Sequence, residues 1–213
     1  MTGRPRQLPL PLPGEASTAR DDFVVTSANR LALDRIEAWP AWSAPALVLV
    51  GPEGSGKSHL AAILAAKAAA LGRADLAIVE DADRAGPGEE PLFHLWNRIL
   101  GAGGSLLLTA REAPALWSGG LPDLASRLRS APMVRLDPPD DALLLAVVAK
   151  HFSDRQLAVE PDVIGFIAGR IERSLAAAAR VVERIDAEAL ATGRAVTRPF
   201  VARLLAAEGN EDA

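Results

Sequence analysis

Between residues 22 and 137 the apolar positions alternate between two patterns, short unbroken runs and longer stretches at helical spacing. Ala46-Leu47-Val48-Leu49-Val50 is an unbroken run, and Leu76-Ala77-Ile78-Val79, Ser105-Leu106-Leu107-Leu108-Thr109 and Met133-Val134-Arg135-Leu136 follow it. Runs without polar alternation predict strands buried on both faces of a parallel sheet. Helices are predicted around them over 29–38, 59–71 (ended by Gly72), 91–100 and 121–128. In the third of these Leu92, Leu95, Trp96 and Ile99 share one face. Strands and helices in alternation predict an α/β domain over 22–137. Pro138-Pro139 breaks the pattern, and beyond it only helical stretches remain, over 140–151, 161–171, 174–192 and 197–207. A small all-helical domain over 138–213 is therefore expected.

Residues 1–21 fit neither pattern. They form a Pro-rich, then polar and charged leader that lacks helical periodicity and is expected to be flexible on its own. Its alternating prolines exclude a signal peptide, and no apolar stretch approaches the length of a membrane span, so a cytoplasmic protein is expected. With a net charge of -4 and a pI near 5.5 there is no overall basic field for autonomous nucleic-acid binding. Cysteine is absent and the three histidines, His59, His94 and His151, are scattered, so any metal is expected to arrive with a nucleotide.

The most specific chemistry lies between the first strand and the helix after it. Gly51-Pro52-Glu53-Gly54-Ser55-Gly56-Lys57-Ser58 has the spelling of a phosphate-binding loop. Its glycines let backbone N–H groups crowd round phosphates, Lys57 reaches the terminal ones and Ser58 a Mg2+ ion, while the helix N-terminus faces the anion. The bland alternative is a glycine-rich turn with a chance lysine, but both flanking elements are of the right kind. Glu80 and Asp81 end the second strand, where acids coordinate Mg2+ and position an attacking water; the competing reading is a solvated acidic strand end. Thr109 ends the third strand at the edge where ligands of open α/β sheets lie, as a γ-phosphate sensor or as a threonine closing the strand. Arg127, Arg129 and Arg173 are arginines of the kind that stabilise transferring phosphoryl charge, although a lone arginine is more often a surface charge.

Together these motifs resemble the AAA+ core of the bacterial replication initiator DnaA and, more closely, the Hda family of DnaA-related regulatory inactivators. Phe23-Val24-Val25 with Asn29-Arg30-Leu31-Ala32 is similar to the entry segment that packs against adenine, and the phosphate loop resembles the family's down to the trailing His59. Leu106-Leu107-Leu108-Thr109 resembles the sensor 1 strand. Leu121-Pro122-Asp123-Leu124-Ala125-Ser126-Arg127-Leu128 resembles the arginine-finger segment, which makes Arg127 the finger. Ile171-Glu172-Arg173-Ser174-Leu175 resembles sensor 2 and makes Arg173 the arginine acting in cis. The resemblance implies an α/β P-loop AAA+ core, a parallel sheet flanked by helices, carrying the helical lid. It also implies ADP or ATP with Mg2+ as cofactor, ADP being the resident nucleotide.

Gln7-Leu8-Pro9-Leu10-Pro11-Leu12 resembles the peptide by which this family binds the DNA polymerase sliding clamp, its beta subunit. An extended, proline-stiffened peptide loses little entropy on docking, so Leu8, Leu10, Pro11 and Leu12 can fill apolar pockets while Gln7 makes hydrogen bonds. A plain Pro-rich linker, or a ligand for some other groove that reads polyproline II, is the alternative. The implied partners are DnaA and the clamp, with DNA reached indirectly, a homo-oligomer and no membrane; the implied activity is stimulation of hydrolysis of DnaA-bound ATP in trans, with weak ATPase activity of its own at most. No room is seen for a helix-turn-helix domain. Departures also stand out. The interval 57–75 has room for one helix where relatives carry a further strand and helix, so the sheet is expected to be a strand short. Ala110-Arg111 replaces a Gly/Ser-Asp pair, and Glu80 an aspartate. A non-catalytic clamp adaptor or loader, and a small P-loop phosphotransferase, are the rival readings.

Overall fold

The computed structural model describes residues 19–84, 88–117 and 121–208. The chain divides into two compact units, and the division falls between Pro138 and Pro139.

In the first unit, strands β1 (Ala46–Val50), β2 (Leu76–Val79), β3 (Ser105–Ala110) and β4 (Met133–Arg135) form one parallel sheet in the order β2-β3-β1-β4. Helices α1 (Arg30–Glu37), α2 (Lys57–Ala70), α3 (Glu89–Gly101) and α4 (Pro122–Ser130) cover it. Side chains alternate across each strand, and both sets are buried. Leu47, Leu49 and Leu107 meet Leu33, Ile36, Leu60 and Leu64 of α1 and α2. Ala46, Val48, Val50, Leu106 and Leu108 turn the other way, against Leu92 and Trp96 of α3 and Leu124 and Leu128 of α4. A strand packed on both faces has no use for a polar position, which is why these segments read as unbroken apolar runs. The sheet of the described residues has four strands, and only the 71–75 turn joins α2 to β2, an edge strand with its first three residues partly buried.

Element ends differ from the expected ones for local reasons. Helix α2 starts at Lys57, inside the phosphate loop, rather than at residue 59. Helix α3 starts at Glu89 because Pro91 falls in the first turn, where a missing N–H costs nothing, and Gly88 with φ of 83° makes the preceding turn. Helix α6 (Pro161–Ala168) stops short of residue 171, with Gly169 as its C-cap.

The second unit is helical: α5 (Asp141–Asp154), α6, α7 (Leu175–Thr192) and α8 (Arg198–Glu208). Helix α5 packs on α6 and α7 and buries Leu144, Val148 and Phe152, while α7 contributes Ala178, Val182 and Ile185. Two of the helices have side-chain caps: Asp140 accepts from the Leu143 N–H at 2.7 Å and Ser174 from the Ala177 N–H at 3.3 Å. Gly193, at φ of 63°, ends α7 in the left-handed conformation that favours glycine. Among the described residues no helix is long and apolar enough to cross a membrane.

Candidate functional site

The chain leaves β1, passes through α2 to β2 at one edge, returns to β3 beside β1, and then crosses to β4 on the other side. The direction of winding reverses at the C-terminal ends of β1 and β3, where an open α/β sheet leaves a crevice for ligand. The loop 51–56 lies there. Gly51 donates its N–H to the Ala110 carbonyl at 3.1 Å, and a Cβ on it would come within 2.5 Å of the Leu136 carbonyl oxygen and 2.9 Å of the Ser55 hydroxyl. Gly54 and Gly56 take φ of 70° and 98°, which only glycine adopts without cost. Each of these glycines therefore answers a geometric need of the loop. Inside the turn the Ser55 hydroxyl is buried and has no hydrogen-bond partner.

Lys57 is 7% exposed. Its ammonium donates to the carbonyls of Gly51 at 2.7 Å and Pro52 at 2.8 Å, which folds the side chain back over the loop. Burial holds it below the usual lysine range; Arg111 presses the same way, and Asp81, Asp83 and Glu53 oppose it, Asp81 most strongly. The helix that follows has Gly56 as N-cap and no side-chain cap, so its first N–H groups face outward with Ser58, which is exposed.

Thr109, 1% exposed, ties the ends of β2 and β3 together. Its hydroxyl accepts from the Asp81 N–H at 3.0 Å and its carbonyl from the Ala82 N–H at 2.8 Å. This holds Asp81 at φ of 47°, a left-handed conformation that aspartate tolerates better than most residues. Glu80 is exposed, while Asp81 and Asp83 are half-buried.

The entry segment docks on α2. Phe23 meets His59 edge-on with ring centroids 5.1 Å apart, and the His59 Nε2 lies 3.1 Å from the Ala19 carbonyl. Asn29 is buried and fully engaged: its amide donates to the Val24 carbonyl at 2.8 Å and its oxygen accepts from the Thr26 N–H at 3.0 Å. It shapes the backbone at Val24, and Val25 packs on the α1/α2 side of the core.

The remaining sequence candidates have other partners. Arg127, on α4, donates to the Asn97 oxygen at 2.7 Å and the Asp123 carboxylate at 3.0 Å, and lies 5.4 Å from the Phe93 ring centroid. Its side chain remains 38% exposed. Arg129 is exposed. Arg173 belongs to the helical unit, where it is exposed and pairs with Asp141 at 2.7 Å and with the Pro139 carbonyl at 3.4 Å. Gln7, Leu8, Leu10, Pro11 and Leu12 lie outside the described residues.

Two charged groups that the sequence reading left without a role sit beside the loop. Asp83 accepts the N–H groups of Arg111 at 2.9 Å and Glu112 at 3.0 Å on one carboxylate oxygen, and its other oxygen is buried without a partner. Arg111 in turn reaches Glu53 of the loop at 2.8 Å. Arg111 belongs to the Ala110-Arg111 pair after β3, and Asp83 lies two residues past Asp81. What the sequence does not carry is that a turn at the end of β2 grips a turn at the end of β3.

This arrangement suits a phosphate chain. The loop offers free backbone donors, an unpartnered buried hydroxyl and a lysine whose burial outweighs its partners, all of which an anion would satisfy. Among the described residues no group of three His, Asp or Glu side chains could hold a metal unaided, so a Mg2+ ion would need phosphate oxygens as further ligands beside Ser58 and Asp81.

Residues 141–205 match the family model described as Hda, lid domain. In fold the chain is similar to domain III of the Thermotoga maritima replication initiation protein DnaA, with a TM-score of 0.75 at 18% identity over 88% of this chain and 95% of that one. It is also similar to AMPPCP-bound DnaA from Aquifex aeolicus, with a TM-score of 0.67 at 18% identity over 78% of this chain. The match spans 63% of that DnaA chain, under two thirds of its length. The Thermotoga maritima RuvB Holliday junction branch migration motor gives a TM-score of 0.66 at 18% identity over 88% of this chain and 70% of that one.

Proposed function

We propose that this chain, a DnaA-related AAA+ protein with an Hda-type lid at residues 141–205, is a negative regulator that inactivates the initiator DnaA. In this reading its own phosphate loop holds ADP or ATP with Mg2+, bound by the 51–56 backbone, Lys57 and Ser58, with Phe23, Val24 and Val25 at the base side. The nucleotide supplies negative charge that orders the loop. Arg173 of the lid senses that charge in cis. The leader, through Gln7 and the leucines after it, tethers the protein to a DNA-loaded sliding clamp, which raises its local concentration at DnaA. Arg127 then enters the nucleotide site of ATP-bound DnaA and stabilises the charge that develops as the γ-phosphoryl group is transferred to water. The protein works in the cytoplasm and assembles with further copies or with DnaA through the same finger-bearing face.

The placement of Arg127 carries this reading. Its guanidinium is held by Asp123, Asn97 and Phe93 on the α3–α4 surface rather than in its own phosphate loop. A finger fixed in one orientation loses little freedom when it docks, and such an arginine is worth on the order of a thousandfold or more in phosphoryl transfer. The test is hydrolysis of DnaA-bound ATP reconstituted with clamp-loaded DNA. Arg127→Ala is expected to keep nucleotide and clamp binding while losing stimulation; full stimulation by that variant overturns the proposal. Deletion of residues 7–12 is expected to abolish stimulation as well, and equal activity would remove the clamp from the mechanism. A non-catalytic adaptor would leave DnaA-bound ATP unchanged with every variant, the wild type included.

A further inference from the structure

Arg111 directly follows β3, two positions beyond Thr109, and its guanidinium pairs with Glu53, the third residue of the phosphate loop, at 2.8 Å. An exposed ion pair between two loops is by itself worth little. Three further observations set this one apart. The backbone that carries Arg111 is fixed on both sides. Asp83 accepts its N–H and that of Glu112, and the Ala110 carbonyl accepts the N–H of Gly51. Arg111 also lies near enough to Lys57 to help hold that ammonium below its usual range, so two cations converge on one loop. In the same loop the Ser55 hydroxyl, in a residue 4% exposed, is buried without a partner and turned toward Gly51. Like charges brought together on a loop that also holds an unsatisfied donor describe a place for an anion richer in charge than the carboxylate now paired there.

Resting on the reading that the loop holds a nucleotide, we infer that Arg111 is a phosphate ligand in cis that Glu53 holds in reserve. With a γ-phosphate in the loop the guanidinium exchanges the Glu53 carboxylate for phosphate oxygens, and with a diphosphate it stays on Glu53. The γ-phosphate is the one selected because Arg111 stands past the end of β3, two residues beyond Thr109, and would share the terminal phosphates with Lys57, while the 51–56 backbone covers the inner ones. Arg111 thereby sets how far the protein distinguishes a triphosphate from a diphosphate, and Glu53 is the internal competitor that weakens that distinction.

The experiment is calorimetric titration of the full chain with Mg2+-AMPPCP and with Mg2+-ADP, for wild type, Arg111→Gln, Glu53→Gln and Lys57→Ala. Arg111→Gln is expected to weaken AMPPCP about tenfold, as loss of a charge-assisted phosphate contact should, and ADP less than about threefold. Glu53→Gln is expected to tighten AMPPCP by about two- to fivefold and leave ADP unchanged. A variant with a damaged fold would weaken both ligands and could not tighten one, so the two substitutions check each other. Equal changes for both nucleotides, or none, overturn the inference while leaving the loop's role intact. Wild type that binds neither nucleotide, or Lys57→Ala that binds both as wild type does, overturns the nucleotide reading itself and the inference with it.

Discussion

Among the described residues the four buried polar or charged side chains, Asn29, Ser55, Lys57 and Thr109, all lie in the α/β unit, whereas the buried set of the helical unit, from Leu143 to Val201, is apolar throughout. A buried polar group costs free energy unless it is paired, and a buried charge costs more. Asn29 and Thr109 are paired within the protein, and they serve to place Val24 and Asp81. Ser55 has no partner, and the burial of Lys57 outweighs the groups that favour its charge; both belong to the phosphate loop. In the helical unit no polar or charged residue of the described set is buried as a whole. That unit is built from α5 against α7 through leucine, valine and small alanines, and its polar groups, Arg173 among them, stay at the surface. The contrast separates two kinds of information. Chemistry is written in the unit that buries polar groups, while the family match falls on the unit whose buried set is apolar.

The strongest way to break this contrast is to damage the apolar unit alone. Phe152 is 1% exposed, and Phe152→Ala is expected to cost about 3–5 kcal/mol of helical-unit stability. Hydrogen exchange should show amides of α5 and α7 losing protection while those of β1 and β3 keep theirs. Equal loss in β1 and β3 would make the chain one cooperative body and remove the distinction.

The converse substitution acts on function and hardly on the fold. Lys57→Ala is expected to lower nucleotide affinity by at least about 100-fold, the loss of charge-assisted contacts to phosphate. Stability of the nucleotide-free protein is expected to change by about 1 kcal/mol or less, because the desolvation of the ammonium offsets its two bonds to loop carbonyls. Isothermal titration and urea unfolding read the two quantities. A large loss of stability would place Lys57 with the structural residues and blur the contrast from the other side.

How far all this was legible in the sequence follows the same division. The four strands and eight helices are written in apolar spacing, since burial of one face or two is a property of each segment by itself. The phosphate loop is equally local, because its glycines, lysine and serine act within one turn. Arg127 was found as a candidate, but its three holders, Asn97, Asp123 and Phe93, come from two helices whose mutual packing no spacing rule gives. Asn29 was assigned to the base side, and its amide proves to be spent on Val24 and Thr26. The grip of Asp83 on the turn after β3, and the reach of Arg111 to Glu53, depend on strand order, which puts β3 between β1 and β2. Such pairings become visible only once the sheet is assembled.

A smaller effect sharpens the comparison at the helix ends. Helix α2 has Gly56 as N-cap and no side-chain cap, so its donors are left for an anion, whereas the N-cap of α5 is Asp140, whose carboxylate accepts the Leu143 N–H at 2.7 Å. Asp140→Ala is expected to cost about 1 kcal/mol in urea unfolding with no change in nucleotide affinity. A shift in affinity as large as the shift in stability would show that the cap serves the site as well as the helix.

The smallest expected effect concerns His151 on α5, which is held below the ordinary histidine range. Burial is the main cause, Arg155 and Lys150 act in the same direction, and Asp154 opposes them. The unfolded chain takes up the proton near pH 6.5, whereas the folded chain does so only at lower pH. Stability from the neutral ring is therefore complete above about pH 6.5 and is lost as pH falls through the folded value. Against His151→Gln, which does not titrate, the wild-type melting temperature should drop between pH 7.5 and pH 5 by on the order of a degree or two, since the ring is only partly shielded from water. A difference that stays constant over that interval would mean that the ring keeps its ordinary affinity for a proton. The contrast with the phosphate loop would then be sharper.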